Sequence, residues 1–158
     1  MKVFHTSTRA IPKPDTRHSR SHLDFGKGFY LTPIEQQARD YGWRFLRLGK
    51  PAVMNIYRFD DDIPDATSKV FAAYDGEWLD FIAACRKGRP HRAYDVITGG
   101  IADDQVFNTV DLYLQGLITR GQALYRLRWK KPNLQICITS QAVLDRHLRF
   151  VKSIALKP

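Results

Sequence analysis

Apolar residues along this chain recur at two spacings, and each spacing predicts a different kind of element. Apolar runs, or alternation of apolar with polar residues, predict strands at residues 52–59, 94–98, 134–139 and 148–156. Apolar residues three and four positions apart predict helices at residues 33–48, 74–86, 104–117, 120–129 and 140–147. Because the elements are mixed and no internal repeat appears, the pattern favours an α+β fold.

Two of these helices begin at a recognisable capping sequence. Thr32-Pro33-Ile34-Glu35 has a hydroxyl, a proline at the first helical position and an acid three residues after the hydroxyl. Thr119-Arg120-Gly121-Gln122 repeats the hydroxyl and places an amide at the third position. In the first helix we expect an inward face of Ile34, Ala38, Tyr41, Phe45 and Leu48. In the helix at 104–117 we expect Val106, Val110, Tyr113 and Leu117 to face inward.

Composition limits the class of protein. The 158 residues are 44% hydrophobic and 26% charged, as in an ordinary folded domain, and we expect one domain over residues 1–158. No apolar run approaches the roughly 20 residues that span a bilayer, and no signal peptide is evident, so we expect a cytoplasmic protein without a membrane partner. Cys85 and Cys137 stand apart from other metal-binding residues, so we expect buried, reduced thiols and no metal. The net charge of +9 favours anionic partners.

The segment with the most chemical content runs from Asp24 to Thr32. Its Gly26-Lys27-Gly28 turn follows Phe25 and precedes Phe29 and Tyr30, and glycines let a backbone approach a ligand closely. The segment lacks the third glycine of a dinucleotide-binding fingerprint and the Gly-Lys-Ser/Thr of a phosphate-binding loop. Taken alone, it is equally compatible with a tight turn followed by core aromatic residues.

Several short motifs in a fixed order add to this segment. They are His5 to Ser7, Asp24 to Thr32, Glu77 to Phe81, Tyr94 to Asp104, and Asn133 to Thr139. In this order they resemble the bacterial DUF3990 family, whose members resemble the ADP-ribosyltransferase fold. The resemblance implies an α+β split β-sandwich with several short helices and a cleft for NAD between the sheets.

The same resemblance implies roles for individual residues. His5 would bind ribose hydroxyls, Thr6 would approach the nicotinamide amide through its backbone next to Ser7, and Tyr30 would stack on the nicotinamide ring. Gln135 stands where transferases of this fold commonly have glutamate, and an amide can orient the ribose but cannot take a proton. The remaining residues expected to bind NAD, by shaping the turn or by meeting its phosphates, are Phe25, Gly26, Lys27, Gly28, Arg17 and Arg20.

A base for the acceptor must then come from elsewhere, and the pattern suggests Asp103 or Asp104. One of these aspartates is expected to cap the following helix, and Asp104 is the functional candidate if Asp103 is the cap. Without the family resemblance, His5 reads as a solvated histidine near a terminus and Tyr30 as a core aromatic residue.

The resulting functional hypothesis is an NAD-dependent mono-ADP-ribosyltransferase that modifies a protein or nucleic acid. By resemblance, it is a toxin of a toxin–antitoxin pair or an effector, with a cognate antitoxin as a possible partner. The alternatives are a non-catalytic nucleotide or nucleic-acid binding module on the same fold, and an NAD glycohydrolase. A basic patch of Arg126, Arg128, Lys130 and Lys131 around Trp129 is compatible with the binding module, although a basic helix terminus explains it equally well.

Overall fold

A computed structural model describes residues 1–100, 104–128, 130 and 133–158 of the chain. Within these ranges the protein is a mixed α+β structure of two sheets and five helices. In chain order the elements are β1 (Lys2–Ser7), β2 (Phe29–Leu31), α1 (Glu35–Arg47), β3 (Ala52–Phe59), β4 (Ser68–Val70), α2 (Gly76–Arg86), β5 (Val96–Gly99), α3 (Asp104–Leu114), α4 (Arg120–Leu127), β6 (Gln135–Ile138), α5 (Gln141–His147) and β7 (Leu148–Leu156). No helix among the described residues is both long and apolar enough to cross a membrane.

The strands form two sheets that meet at one point. Sheet A is antiparallel with the order β1-β3-β7, and sheet B has the order β2-β6-β5-β4, in which only β4 and β5 run parallel. Within the described ranges, a bridge between Phe4 and Thr32 joins β1 to β2 through two backbone hydrogen bonds of 2.8 and 2.9 Å. Beyond this bridge β1 and β2 diverge, and the two sheets pack face to face through their side chains.

Each face of sheet B is covered by a different layer. On one face, Phe29, Leu31 and Ile138 pack against Val3 and Tyr57 of sheet A. On the other face, a second apolar cluster joins sheet B to α2, α3 and α4; it includes Ile97, Cys137, Trp78, Leu79, Ile82, Val106, Val110 and Leu127. Because both faces are covered, β6 is buried along its whole length although its sequence alternates in polarity.

Helix α1 packs on the outer face of sheet A through only part of the face expected from its pattern. Ala38 and Gly42 are its buried residues, whereas Ile34, Tyr41 and Leu48 are 42%, 47% and 70% exposed. A Cβ on Gly42 would lie 2.6 Å from Leu156 Cδ1, so the helix axis approaches β7 more closely than large side chains would permit. The expected inward face of α1 was therefore correct at Ala38 and wrong at Ile34, Tyr41 and Leu48, because small residues form the contact with the sheet.

The ends of the helices show which capping predictions were correct. Thr119 and Gln122 form the predicted capping box at the start of α4. At α1 the N-cap is Ile34, and no side chain caps it; Thr32 Oγ1 instead donates to Leu134 O at 2.8 Å and accepts from Ile34 N. In α3, Val106 and Val110 are buried as expected, but the helix ends before Leu117, which is 66% exposed.

Candidate functional site

The long segment between β1 and β2 is held against the body of the protein by buried and partly buried polar side chains. Asn55, fully buried in β3, accepts from Ile11 N at 2.8 Å and donates to Arg9 O at 3.1 Å. The Tyr57 hydroxyl donates to Ile11 O at 2.7 Å, and Gln141 Oε1 accepts from Thr16 N at 3.1 Å. The segment is thereby fixed over the region where the two sheets separate.

The glycine turn lies above the two cysteines of the chain. Gly26 has a φ of +78°, a conformation that favours glycine, and a Cβ there would be 3.9 Å from Cys85 Sγ. A Cβ on Gly28 would lie 2.6 Å from Cys137 Sγ and 2.8 Å from the carbonyl oxygen of Ile138. The space beside Gly28 is therefore filled by β6. Both cysteines are buried free thiols, as expected, and burial raises the pKa of each to about 12.

Tyr30 is fixed by the turn that precedes it. Its hydroxyl donates to Gly26 O at 2.5 Å and accepts from Phe25 N at 3.1 Å. Burial, together with the neighbouring Cys137, raises the pKa of Tyr30 far above its ordinary value, so the phenol stays protonated. The ring packs against the helical cluster, and the residue is partly buried.

His5 lies where β1 and β2 separate. Its Nδ1 is 2.7 Å from Tyr30 O, and its ring stacks on Phe29 with 4.5 Å between centroids. Burial lowers the pKa of His5, so the ring is neutral near pH 7. A carbonyl oxygen can only accept, so Nδ1 carries the proton and Nε2 presents a lone pair. His5 is therefore a hydrogen-bond acceptor for a ligand hydroxyl at the point where the sheets part.

Gln135 is buried beside Tyr30 in the same sheet. Tyr30 is the register partner of Cys137, and Gln135 is two residues before Cys137, so Tyr30 and Gln135 are diagonal neighbours at about 7–8 Å on one face. Gln135 is 8% exposed, and among the described residues its Nε2 has no hydrogen-bond partner. A buried amide nitrogen without an acceptor is unfavourable unless a bound water or a ligand supplies one.

The structure brings together only some of the predicted site residues. Phe29 and Tyr30 point to opposite faces of β2, so the ring of His5, stacked on Phe29, and the ring of Tyr30 are on different sides of that strand. The Thr6 hydroxyl donates to Ala38 O at 2.7 Å, toward α1, while Ser7 is partly buried at the end of β1.

The other predicted NAD contacts are distributed around the turn. Phe25 is 1% exposed and packs against both Phe71 and Phe81 in the helical core. The cations Arg17, Arg20 and Lys27 are exposed. Asp104 is the first residue of α3, and Asp103 lies outside the described residues, as do Trp129 and Lys131 of the second basic patch.

Two features near the site were missed by sequence reasoning. Asn55 holds the segment before β2, and a lone amide in the apolar run at 52–59 was the available signal. Asp24 and Arg86 form a largely buried ion pair, with Arg86 Nη2 2.5 Å from Asp24 Oδ1, which anchors the glycine turn to α2. The two residues are far apart in sequence, so no local pattern could pair them.

The structure also contains cavities away from these residues. One, of about 280 Å³, lies between β4 and α2 and is lined in part by Lys69, Phe81, His91 and Tyr94. Another, about 520 Å³ and open to solvent, lies along α4 beside Tyr125 and Arg126. Among the residues with described positions, no group of histidine, cysteine and acidic side chains is arranged to hold a metal ion.

The fold is a mixed α+β structure with two sheets. His5 lies where the sheets separate, and the buried Gln135 lies near Tyr30, whose hydroxyl is hydrogen-bonded to the glycine turn. Residues 1–150 match the family described as "Protein of unknown function (DUF3990)", and the chain belongs to that family. No curated protein and no solved structure matches the chain.

Proposed function

We propose that the protein is an NAD-dependent mono-ADP-ribosyltransferase on an ADP-ribosyltransferase-like split sandwich, with NAD lying across the end of β2 where the sheets separate. The observation that carries the proposal is the buried amide nitrogen of Gln135, diagonal to Tyr30 in the sheet, which has no hydrogen-bond partner in the described part of the chain. It fits a ligand that brings hydroxyl oxygens into a buried place, as the nicotinamide ribose would.

We assign each residue a contact with NAD that matches its hydrogen-bonding capacity, its ring or its charge. Gln135 Nε2 donates to a hydroxyl of the nicotinamide ribose. The neutral His5, on the other face of β2, accepts a hydrogen bond at Nε2 from a hydroxyl of the adenosine ribose. The Tyr30 ring stacks on the nicotinamide. The two hydrogen bonds between the Tyr30 hydroxyl and the glycine turn keep the ring in place. Arg17, Arg20 and Lys27 remain exposed for the phosphates.

In the transfer itself, the bond between the ribose and the nicotinamide nitrogen breaks, and its electron pair leaves with nicotinamide. The acceptor forms a new bond to the same ribose carbon and loses one proton. Gln135 cannot take that proton, so we assign it to Asp104, at the start of α3. One alternative is an NAD glycohydrolase, in which water is the acceptor and releases its proton to solvent. The other is a module that binds nucleotide without breaking the bond between ribose and nicotinamide.

The experiment measures nicotinamide release and label transfer from radiolabelled NAD to a cell lysate, followed by nuclease or protease digestion. We expect release to fall about 100-fold or more in Gln135→Ala and in His5→Gln. The matched control is Gln115→Ala, which removes an exposed amide of the same type. Parental rates in both site variants, with folding intact, would refute the assignment of these residues.

A second variant separates transfer from cleavage. Asp104→Asn should keep nicotinamide release but lose label on the acceptor, because only proton removal from the acceptor is affected. Release without label in the parental protein would instead identify a glycohydrolase. A rise in the unfolding temperature with NAD, but no release in any lysate, would identify a binding module.

A further inference from the structure

Sheet A carries an exposed group of cations on its outer face, apart from the candidate NAD site. Arg58 of β3 and Arg149 of β7 are direct register partners, and Lys152 of β7 faces Ile56 of β3. All three cations are exposed. We call Arg58, Arg149 and Lys152 the basic cluster.

A β-bulge brings the third cation into this cluster. Tyr57 pairs with Phe150, whereas Ile56 pairs with Lys152, so Val151 is an extra residue in β7. An unbroken register would place Lys152 opposite Asn55, which is fully buried. With the bulge, Lys152 instead shares the outer face with Arg58 and Arg149, about 7 Å farther along the sheet.

The charges of the basic cluster are not balanced within the described residues. The Cβ atoms of residues directly opposite in an antiparallel pair lie about 4.5–5.5 Å apart, and like charges at such positions are unfavourable, as for Arg58 and Arg149. Lys2, the other register partner of Arg58, has an acid nearby in Glu35, at 3.7 Å. No hydrogen bond or ion pair to Arg58, Arg149 or Lys152 is found in the parts of the chain with described positions.

The acids nearest in sequence are already engaged. Asp60 is 4.0 Å from His147, and Asp61 is 3.8 Å from the N-terminal amine. Neither β3 nor β7 contains an acidic residue. An anion from outside the chain would relieve the repulsion that the register imposes.

We propose that the basic cluster binds the phosphodiester backbone of a nucleic acid, in addition to whatever occupies the NAD site. Guanidinium groups match phosphate oxygens, and a row of phosphates can meet cations spread over an open surface. Neither β3 nor β7 contains tryptophan, and their one tyrosine, Tyr57, is buried on the opposite face, so these strands present no aromatic anchor for a protein partner. The three cations are exposed on an open strand face. The net charge of +9 strengthens attraction of a polyanion.

The test measures binding of a labelled single-stranded oligothymidylate by fluorescence anisotropy over a range of salt concentrations. We expect the triple variant Arg58→Gln, Arg149→Gln, Lys152→Gln to bind roughly tenfold or more weakly, with a salt slope smaller by about 2. The control triple variant Arg47→Gln, Lys50→Gln, Lys87→Gln removes the same charge from exposed positions elsewhere. It should keep the parental slope.

Four outcomes would overturn the proposal. The oligonucleotide does not bind at low salt; both triple variants lose equal affinity, so that net charge alone explains binding; polyglutamate binds with the same dependence on the cluster; or inorganic phosphate binds as tightly as the oligonucleotide. Because the three residues are exposed, the cluster variant should fold. Its thermal midpoint, measured in parallel, should be unchanged or higher, since a like-charge pair is removed.

Discussion

Replacement of Gly28 by alanine tests why the turn before Tyr30 contains glycine. The added Cβ would lie 2.6 Å from Cys137 Sγ and 2.8 Å from Ile138 O. The second atom belongs to the backbone of a buried strand, so it cannot move aside as a side chain could. Overpacking of this kind costs about 1–3 kcal/mol, and we expect the upper half of that range.

The measurement is urea and thermal unfolding of the purified variant. For a chain of this length, about 2–3 kcal/mol corresponds to a fall of roughly 5–10 °C in the unfolding midpoint. Gly121→Ala is the matched control, because its Cβ would have only Thr119 Oγ1 nearby, at 4.0 Å, in helix α4. Alanine there should be neutral or stabilising by up to about 1 kcal/mol.

The outcome decides between two reasons for the glycine. If Gly28→Ala were as stable as Gly121→Ala, the close contact with β6 would not be what requires glycine, and the reasoning would be refuted. If the variant is destabilised without ligand as expected, then packing against Cys137 explains Gly28. Nucleotide contact would in that case rest on Gly26, Lys27 and the backbone of the turn.

Three further predictions concern titration, the buried ion pair and the proposed chemistry. Because the pKa of His5 is lowered in the folded protein, His5 takes up a proton at a higher pH in the unfolded chain than in the folded one. The free energy of unfolding should therefore fall as pH drops below 6.5, by up to about 1.4 kcal/mol per pH unit. In His5→Gln, urea unfolding at several pH values should lack this contribution to the pH dependence. Asp24→Asn should cost about 3 kcal/mol, whereas Asp80→Asn, in an exposed pair with Arg120, should cost less than about 1 kcal/mol. In the Asp104→Asn background, adding Gln135→Glu should restore ADP-ribosyl transfer, because a carboxylate can accept a hydrogen bond from the ribose hydroxyl and can take the acceptor proton.

Each of these has an outcome that contradicts it. An unchanged pH slope in His5→Gln would mean that His5 is not protonated on unfolding in that range. Equal losses in Asp24→Asn and Asp80→Asn would mean that burial adds nothing to the Asp24–Arg86 pair. A folded double variant Asp104→Asn, Gln135→Glu without label transfer would argue against Gln135 in the position where related transferases have glutamate.

The candidate site was predicted in part because its motifs are local. The order of His5, the glycine turn and Gln135 was visible in the sequence, and Tyr30 does lie beside Gln135 in the sheet. Two features depend on residues that are distant in the chain. The Gly28 turn packs on β6, and the His5 ring lies on the opposite face of β2 from the Tyr30 ring. Strand β4 was not predicted, because three residues paired in parallel with β5 have no pattern of their own.

By itself, the sequence determined the features that involve residues a few positions apart: the capping box at Thr119, the buried strand at 52–59 and the final strand at 148–156. Tertiary structure alone decided which face of α1 is buried, where the two sheets separate, and which cations the bulge at Val151 brings together. The physical reason is the separation along the chain over which each interaction acts. Capping and periodicity act within one or two turns, whereas register and close packing depend on partners that only the folded chain brings into contact.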